Sequence, residues 1–212
     1  MKRALILVDL QNDFMPTGVL PVPCGDEVIP LANILQAYFE CIIATQDWHP
    51  NDHGSFAANH PGLLPGDRIE LSGLSQILWP IHCVQGTMGA DFVKSLKMDR
   101  VTKIFQKGSD STIDSYSAFF DNAHRKSTGL DDYLMTQQIR ILYIMGLALD
   151  YCVKYTVLDA CQLGFKTYLI QDACRGVNLN KEDSAVAIQE MQRAGAHIIQ
   201  SADVFRKFIL IS

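Results

Sequence analysis

Between positions 47 and 53 the sequence reads DWHPNDH, which sets Asp47, His49 and His53 in one short stretch. Pro50, with Pro61 nearby, makes this stretch a loop rather than a helix. Asp47 and His49 are two residues apart, so an extended backbone points both side chains to one side. That is how a chain presents ligands to a metal ion. One carboxylate with two imidazoles suits Zn²⁺, Fe²⁺ or Mn²⁺ and is too rich in nitrogen for Ca²⁺ or Mg²⁺. The third ligand must come from elsewhere, and His53, His60 and His82 are the candidates. His124 and His197 stand in helical or strand context and are read as structural.

A second chemistry is available far downstream. Cysteines occupy positions 24, 41, 83, 152, 161 and 174. Asp150 is placed to cap a helix running to Leu163, with Gly164 as its stop. Cys152 is then the second helical residue, where the helix dipole and free amides favour a thiolate and a nearby lysine adds to the effect. Its backbone N–H is also placed to serve an oxyanion. Cys161, nine residues on, lies about half a turn round the helix and faces away. Cys24, Cys41, Cys83 and Cys174 lack these features, and most of the cysteines are read as small buried hydrophobes. A chain of 212 residues with no CxxC pair suggests reduced thiols rather than disulfides.

The elements that must carry these residues alternate between strand and helix. Residues 4–9, ALILVD, form a continuous apolar run ending in an acid, the pattern of a strand buried on both faces. A helix is expected near 28–38, strand two at 41–46, and strand three at 103–107. Residues 47–90 are rich in proline and glycine, so only short helices are expected there. Residues 130–138 read as helix and 141–146 as strand four. Val153, Val157 and Ala160 give the helix after Asp150 its apolar stripe. Strand five is expected at 166–171 and a last short strand at 197–200. Between them Asn180 and Asp183 are placed to cap a helix that reaches Arg193 and closes at Gly195. The fold class is α/β, one domain over residues 1–212, with a mostly parallel sheet flanked by helices.

On this frame Asp9 ends strand one, Asp47 and His49 follow strand two, Lys107 ends strand three, and Cys152 lies just beyond strand four. Open α/β sheets bind ligands outside the carboxyl ends of their strands. Taken singly, each residue has a plainer explanation: a turn-forming aspartate, a solvated lysine, a packing cysteine. Their arrival at one edge is what favours chemistry.

Composition narrows the partners. The chain is 48% hydrophobic and 19% charged, with net charge −5, ordinary for a soluble globular protein. The acidic balance gives no electrostatic reason to expect nucleic acid or an anionic membrane. The apolar run after Lys2 and Arg3 is too short for a signal peptide, and no stretch approaches the ~20 apolar residues of a membrane span. A cytoplasmic protein acting on a small molecule is expected, and nothing in the pattern sets an oligomeric state.

The motifs ILVDLQNDF, TQDWHPNDHGSFAANHPG, LWPIHCVQGTMGADF, FQKGSDSTIDSYSAFFDN, MGLALDYCVKYTVLDACQLGFK and DACRGVN occur in that order from Ala4 to about Gly195. Together they resemble the isochorismatase-like cysteine hydrolases and, within them, the bacterial nicotinamidases that carry a metal loop. The resemblance implies a six-stranded parallel sheet and an Asp–Lys–Cys triad on Asp9, Lys107 and Cys152. It implies a divalent metal, Zn²⁺ first, on Asp47, His49 and His82, with His53 close by. It implies oxyanion amides at Ala148 and Cys152, a cis peptide at Leu147–Ala148, and a pyridine pocket lined by Phe14, Trp79 and Tyr116. Leu149 departs from the threonine usual before the aspartate of this motif.

Two centres then divide two jobs on nicotinamide: the cysteine breaks the amide and the metal positions the pyridine ring. Direct attack by metal-activated water is the competing mechanism. Another amide hydrolase of the same fold leaves the metal loop unexplained. A non-haem iron oxygenase needs no cysteine, and a ligand or redox sensor would release no ammonia.

Overall fold

A computed structural model of the chain describes residues 1–209. Strand β1 (Lys2–Val8) is fully buried from Ala4 onward, as its unbroken apolar run requires. It is followed by helix α1 (Val28–Leu35) and strand β2 (Cys41–Asp47). A hairpin of β3 (Arg68–Leu71) and β4 (Leu74–Ile77) comes next, then β5 (Lys103–Lys107) and α2 (Leu130–Thr136). The second half runs β6 (Ile139–Leu147), α3 (Lys154–Gln162), β7 (Lys166–Arg175), α4 (Asp183–Arg193), β8 (His197–Ile199) and α5 (Ser201–Ile209).

Six strands form one sheet in the order β5–β2–β1–β6–β7–β8, and every pairing is parallel. Chain order therefore runs outward from β1 in one direction, then returns to β6 and runs outward in the other. The reversal places a crevice at the carboxyl ends of β1 and β6, where such sheets bind ligands. The sheet and its helices enclose one hydrophobic cluster that includes Leu5, Ile6, Ile43, Tyr143, Ile144, Leu169 and Val157.

Three sequence expectations are corrected. Residues 47–90 hold more than short helices: β3 and β4 pair antiparallel around Ser72 and Gly73, both at positive φ, as a tight hairpin turn demands. Asp150 is not a helix cap. The chain leaves β6 through a wide turn over Leu149–Val153, whose N-terminal flanking residue is Ala148, and α3 begins only at Lys154. The Asp150 carboxylate instead accepts hydrogen bonds from the backbone N–H groups of Val177 (2.9 Å) and Asn178 (2.7 Å). Asn180 and Asp183 do not cap α4 by side chain either; Asp183 accepts from the Asn180 backbone N–H at 2.8 Å, bracing the preceding turn. Helix α5 had no expectation. All six cysteines are free, and among the described residues no helix is long and apolar enough to cross a membrane.

Candidate active site

Asp9 follows β1 in a left-handed conformation (φ +50°) that turns its side chain into the crevice. Its backbone N–H donates to Thr45 Oγ1 at 3.2 Å, and the Thr45 hydroxyl donates back to Asp9 Oδ1 at 2.6 Å. On the neighbouring strand pair, Asp47 and Lys107 are register partners across β2 and β5. Parallel partners point the same way, so the ammonium meets the Asp47 carboxylate directly and donates to its Oδ1. Lys107 Nζ also lies 2.8 Å from Asp9 Oδ2, 3.1 Å from the Ser115 carbonyl oxygen and 3.3 Å from Cys152 Sγ. Asp9, Lys107 and Cys152 are 0%, 2% and 6% exposed. A lysine this deep is tolerable only because two carboxylates surround it.

Burial and charge set the protonation states. Burial works against the Lys107 cation, but Asp47 and Asp9 outweigh it and hold its pKa well above the usual lysine range. Burial also works against the Asp47 anion, yet Lys107 and the adjacent imidazoles hold it below the ordinary carboxylate range. For Asp9 burial wins and raises the carboxyl, although Lys107 pulls the other way. Burial likewise lifts the Cys152 thiol well above its ordinary value; Lys107 lowers it, and Asp9 and Asp47 raise it. Burial and two nearby anions thus work against the thiolate that the sequence suggests, and Cys152 sits in a wide turn rather than in the first turn of a helix.

The second centre shares Asp47. Its Oδ2 lies 3.6 Å from His49 Nε2 and 3.9 Å from His82 Nε2, and these ligand atoms all lie within 4.8 Å of one another. His49 Nδ1 donates to the Gly108 carbonyl and His82 Nδ1 to the Pro80 carbonyl, each at 2.8 Å. That turns both Nε2 atoms toward the shared space, the ring orientation that metal-ligating histidines adopt. Burial, with His49 adding to it, drives His82 down to about 4 and keeps it neutral. Burial disfavours the His49 cation too, but the Asp47 charge prevails and raises it. The donor set fits one divalent transition ion in charge, ligand type and orientation.

A loop built for closeness holds these side chains. The His49 N–H donates to Cys83 O (3.0 Å) and Gln85 N–H to His49 O (2.9 Å), so residues 83–85 continue the pairing beyond β2 and carry His82 to His49. Gly108, at φ +66°, lies against the His49 ring; a Cβ there would come within 2.4 Å of His49 Cε1. His53 stands beside the set, its ring centroid 4.4 Å from that of His49. Its Nδ1 bonds Ser55 Oγ at 2.7 Å, while its buried Nε2 has no hydrogen-bond partner among the described residues. His53 groups with His49 and Asp114 in a second ligand-forming set. His60 is occupied elsewhere, bonding the Gly54 carbonyl. His124, in a turn rather than in a helix or strand, pairs with Asp159, and His197, at the start of β8, stacks on Tyr168.

Phe14, Trp79, Tyr116 and Ala148 line one narrow cavity with Asp47, His49, His82 and Cys152. Trp79 Nε1 donates to the Tyr116 hydroxyl at 3.1 Å, and the Phe14 ring lies 5.7 Å from that of His82. The Leu147–Ala148 peptide is cis. Tyr151, Asp114 and Gln11 went unread in the sequence. Tyr151 packs edge-on against Trp79, with centroids 4.9 Å apart, and Asp114 lines the cavity and accepts from Gln76 Nε2 at 3.2 Å. The Gln11 amide grips the backbone of Asp47 at both ends, accepting from its N–H and donating to its carbonyl, each at 2.8 Å. A larger cavity of about 500 Å³ lies at the opposite sheet edge by Lys2, Glu40 and Tyr133 and gathers no comparable set of groups.

The isochorismatase domain family matches residues 3–203. The chain belongs to that family. Among its relatives, the nicotinamidase of Escherichia coli K12 is 52% identical over 205 residues, covering 95% of this chain and 96% of the relative. The solved nicotinamidase/pyrazinamidase of Acinetobacter baumanii superposes with a TM-score of 0.93 at 48% identity, covering 96% of this chain and 98% of that one. The pyrazinamidase of Pyrococcus horikoshii, solved in complex with zinc, gives 0.77 at 39% identity, covering 94% and 99%.

Proposed function

We propose that this isochorismatase-family chain is a nicotinamidase: it hydrolyses the carboxamide of nicotinamide to nicotinate and ammonia. The observation that carries the proposal is the contact of one lysine with Asp9, Asp47 and Cys152, which joins a nucleophile to a ligand set in one cavity. Full-length similarity to named nicotinamidases supports the same substrate.

In the first half-reaction Asp9 takes the Cys152 proton as Sγ attacks the carboxamide carbon. Lys107 holds Asp9 and the developing thiolate by charge, and the amides of Ala148 and Cys152 receive the oxyanion. Asp9 returns the proton to nitrogen, the C–N bond breaks, and ammonia leaves a thioester on Cys152. In the second half-reaction Asp9 takes a proton from water, whose oxygen attacks the thioester. Sγ departs, Asp9 re-protonates it, and nicotinate is released. The raised pKa of Asp9 suits a group that must both accept and give a proton.

Asp47, His49 and His82 would hold the divalent ion, Zn²⁺ before Fe²⁺ or Mn²⁺, with His53 near enough to join directly or through water. Bound there, the ion would supply a Lewis acid to which the pyridine nitrogen could donate its lone pair. Phe14, Trp79 and Tyr116 flank the ring and exclude water. Leu149 is buried and brings no polar contact to the turn. The activity fits NAD salvage in the cytoplasm, a compartment suited to six free thiols. Ammonia release from nicotinamide, followed with and without a chelator, tests the proposal; no release by the metal-loaded protein overturns it.

A further inference from the structure

The stretch Gln11-Asn12-Asp13, which follows Asp9 and Leu10 in sequence, has no part in the chemistry above, yet its side chains reach the backbone of Asp47, of residues 88 and 90, and of Cys83. Gln11 pairs with Asp47 as described, and Asn12 Nδ2 donates to the Met88 carbonyl at 2.7 Å. Asp13 Oδ2 accepts the backbone N–H of Cys83 at 2.7 Å. Cys83 follows His82 and sits at φ +46°, a conformation a non-glycine residue keeps only when held.

We propose that Asp13 is a positioning residue, whose carboxylate fixes the Cys83 backbone and thereby sets the His82 imidazole and the Phe14 ring against one another. The inference rests on the ligand role of His82 given above. Four observations converge on it. The 2.7 Å bond is charge-assisted and ties the first crevice loop to the loop bearing His82. Asp13 is itself anchored at both ends of its peptide: its N–H donates to Gly89 O and its carbonyl accepts from Leu20 N–H, each at 3.0 Å. Gly89 leaves just enough room for the carboxylate, since a Cβ there would stand 2.2 Å from Asp13 Oδ2. Phe14, the next residue, meets the His82 ring at 5.7 Å. The Cys83 N–H thus fixes one side of His82, and the Pro80 carbonyl on Nδ1 fixes the ring.

The test measures zinc retention, by transfer to a chromogenic chelator from loaded protein, in parallel with kcat and KM for nicotinamide. Asp13→Ala is expected to weaken zinc binding by about 10- to 100-fold, the scale for losing an outer partner of a ligand. Nicotinamide KM should rise more than kcat falls. Asp13→Asn keeps an oxygen for the Cys83 N–H and should restore zinc binding to within a few-fold of the parent. Gly89→Ala, which keeps Asp13 but displaces its carboxylate, should weaken zinc in the same direction. Alkylation of Cys152 in metal-free protein should be unchanged in all three, because Asp13 makes no contact with that side of the crevice. Parental zinc retention in Asp13→Ala overturns the inference. So does equal loss in Asp13→Asn and Asp13→Ala with altered Cys152 alkylation, the signature of a general collapse. If the parent itself binds no zinc, the ligand role of His82 fails first and takes this inference with it.

Discussion

Asp47 and Lys107 face each other as register partners, and the carboxylate between them serves two centres at once. One oxygen accepts from the ammonium that also touches Asp9 and Cys152; the other looks toward the Nε2 atoms of His49 and His82. The proposed nucleophile and the proposed ligand set therefore share a single anion. Anything that alters its charge is felt on both sides.

Asp47→Asn is expected to strike both centres, and His82→Gln only one. Losing the Asp47 charge leaves a buried ammonium short of a partner, so stability should fall by about 3–5 kcal/mol. Zinc binding should fall as well, and Cys152 alkylation in metal-free protein should change. His82→Gln should lower zinc affinity by about tenfold or more while leaving that alkylation rate at the parental value. Chemical unfolding, zinc competition and thiol labelling separate the two patterns. Equal alkylation rates in the two variants would break the proposed sharing.

The resting state of Cys152 has a pH signature. Burial raises the thiol well above 9.0, so the thiolate fraction is small at neutral pH and grows about tenfold per pH unit below the pKa. Alkylation of metal-free protein by iodoacetamide should keep rising through pH 9. A low-pKa thiolate would instead give a plateau near neutrality, and a plateau below pH 8 would contradict the neutral resting thiol.

Much of the site was legible because its residues end strands. Asp9, Asp47 and Lys107 each close an apolar or β-rich run, and a parallel sheet delivers such ends to one edge. The role given to Asp150 failed because its partners, the amides of Val177 and Asn178, lie 27 and 28 residues away and leave no local spacing to read. Asp114 was invisible for a similar reason: it sits in an irregular loop and reaches the cavity through tertiary packing alone. His82 could be narrowed to one of several histidines by residue type; proximity to His49 depends on the pairing of residues 83–85 beyond β2. The hairpin did have a signal, the Ser72-Gly73 pair between two short alternating runs, outweighed by the surrounding prolines. The polar run Gln11–Asp13 was also a signal, since three polar side chains so soon after a buried strand must find partners.

Benzamide separates positioning from activation by the ion. It carries the carboxamide and lacks the ring nitrogen. With the ion serving the ring nitrogen, benzamide should be a poor substrate whose residual rate hardly changes on chelation, while nicotinamide turnover collapses. Benzamide hydrolysis as fast as that of nicotinamide, and equally dependent on metal, would move the ion from the ring to the attacking water.

The nucleophile itself is tested most directly by ammonia release from nicotinamide in Cys152→Ala, compared with the parent at matched zinc content. Loss of a committed nucleophile is expected to lower kcat by ~10⁴ or more. Alanine at the other cysteines, including the half-buried Cys161, should leave kcat near the parental value. Turnover by Cys152→Ala at the parental rate would contradict the thioester route and leave the amide bond to be broken without the thiol.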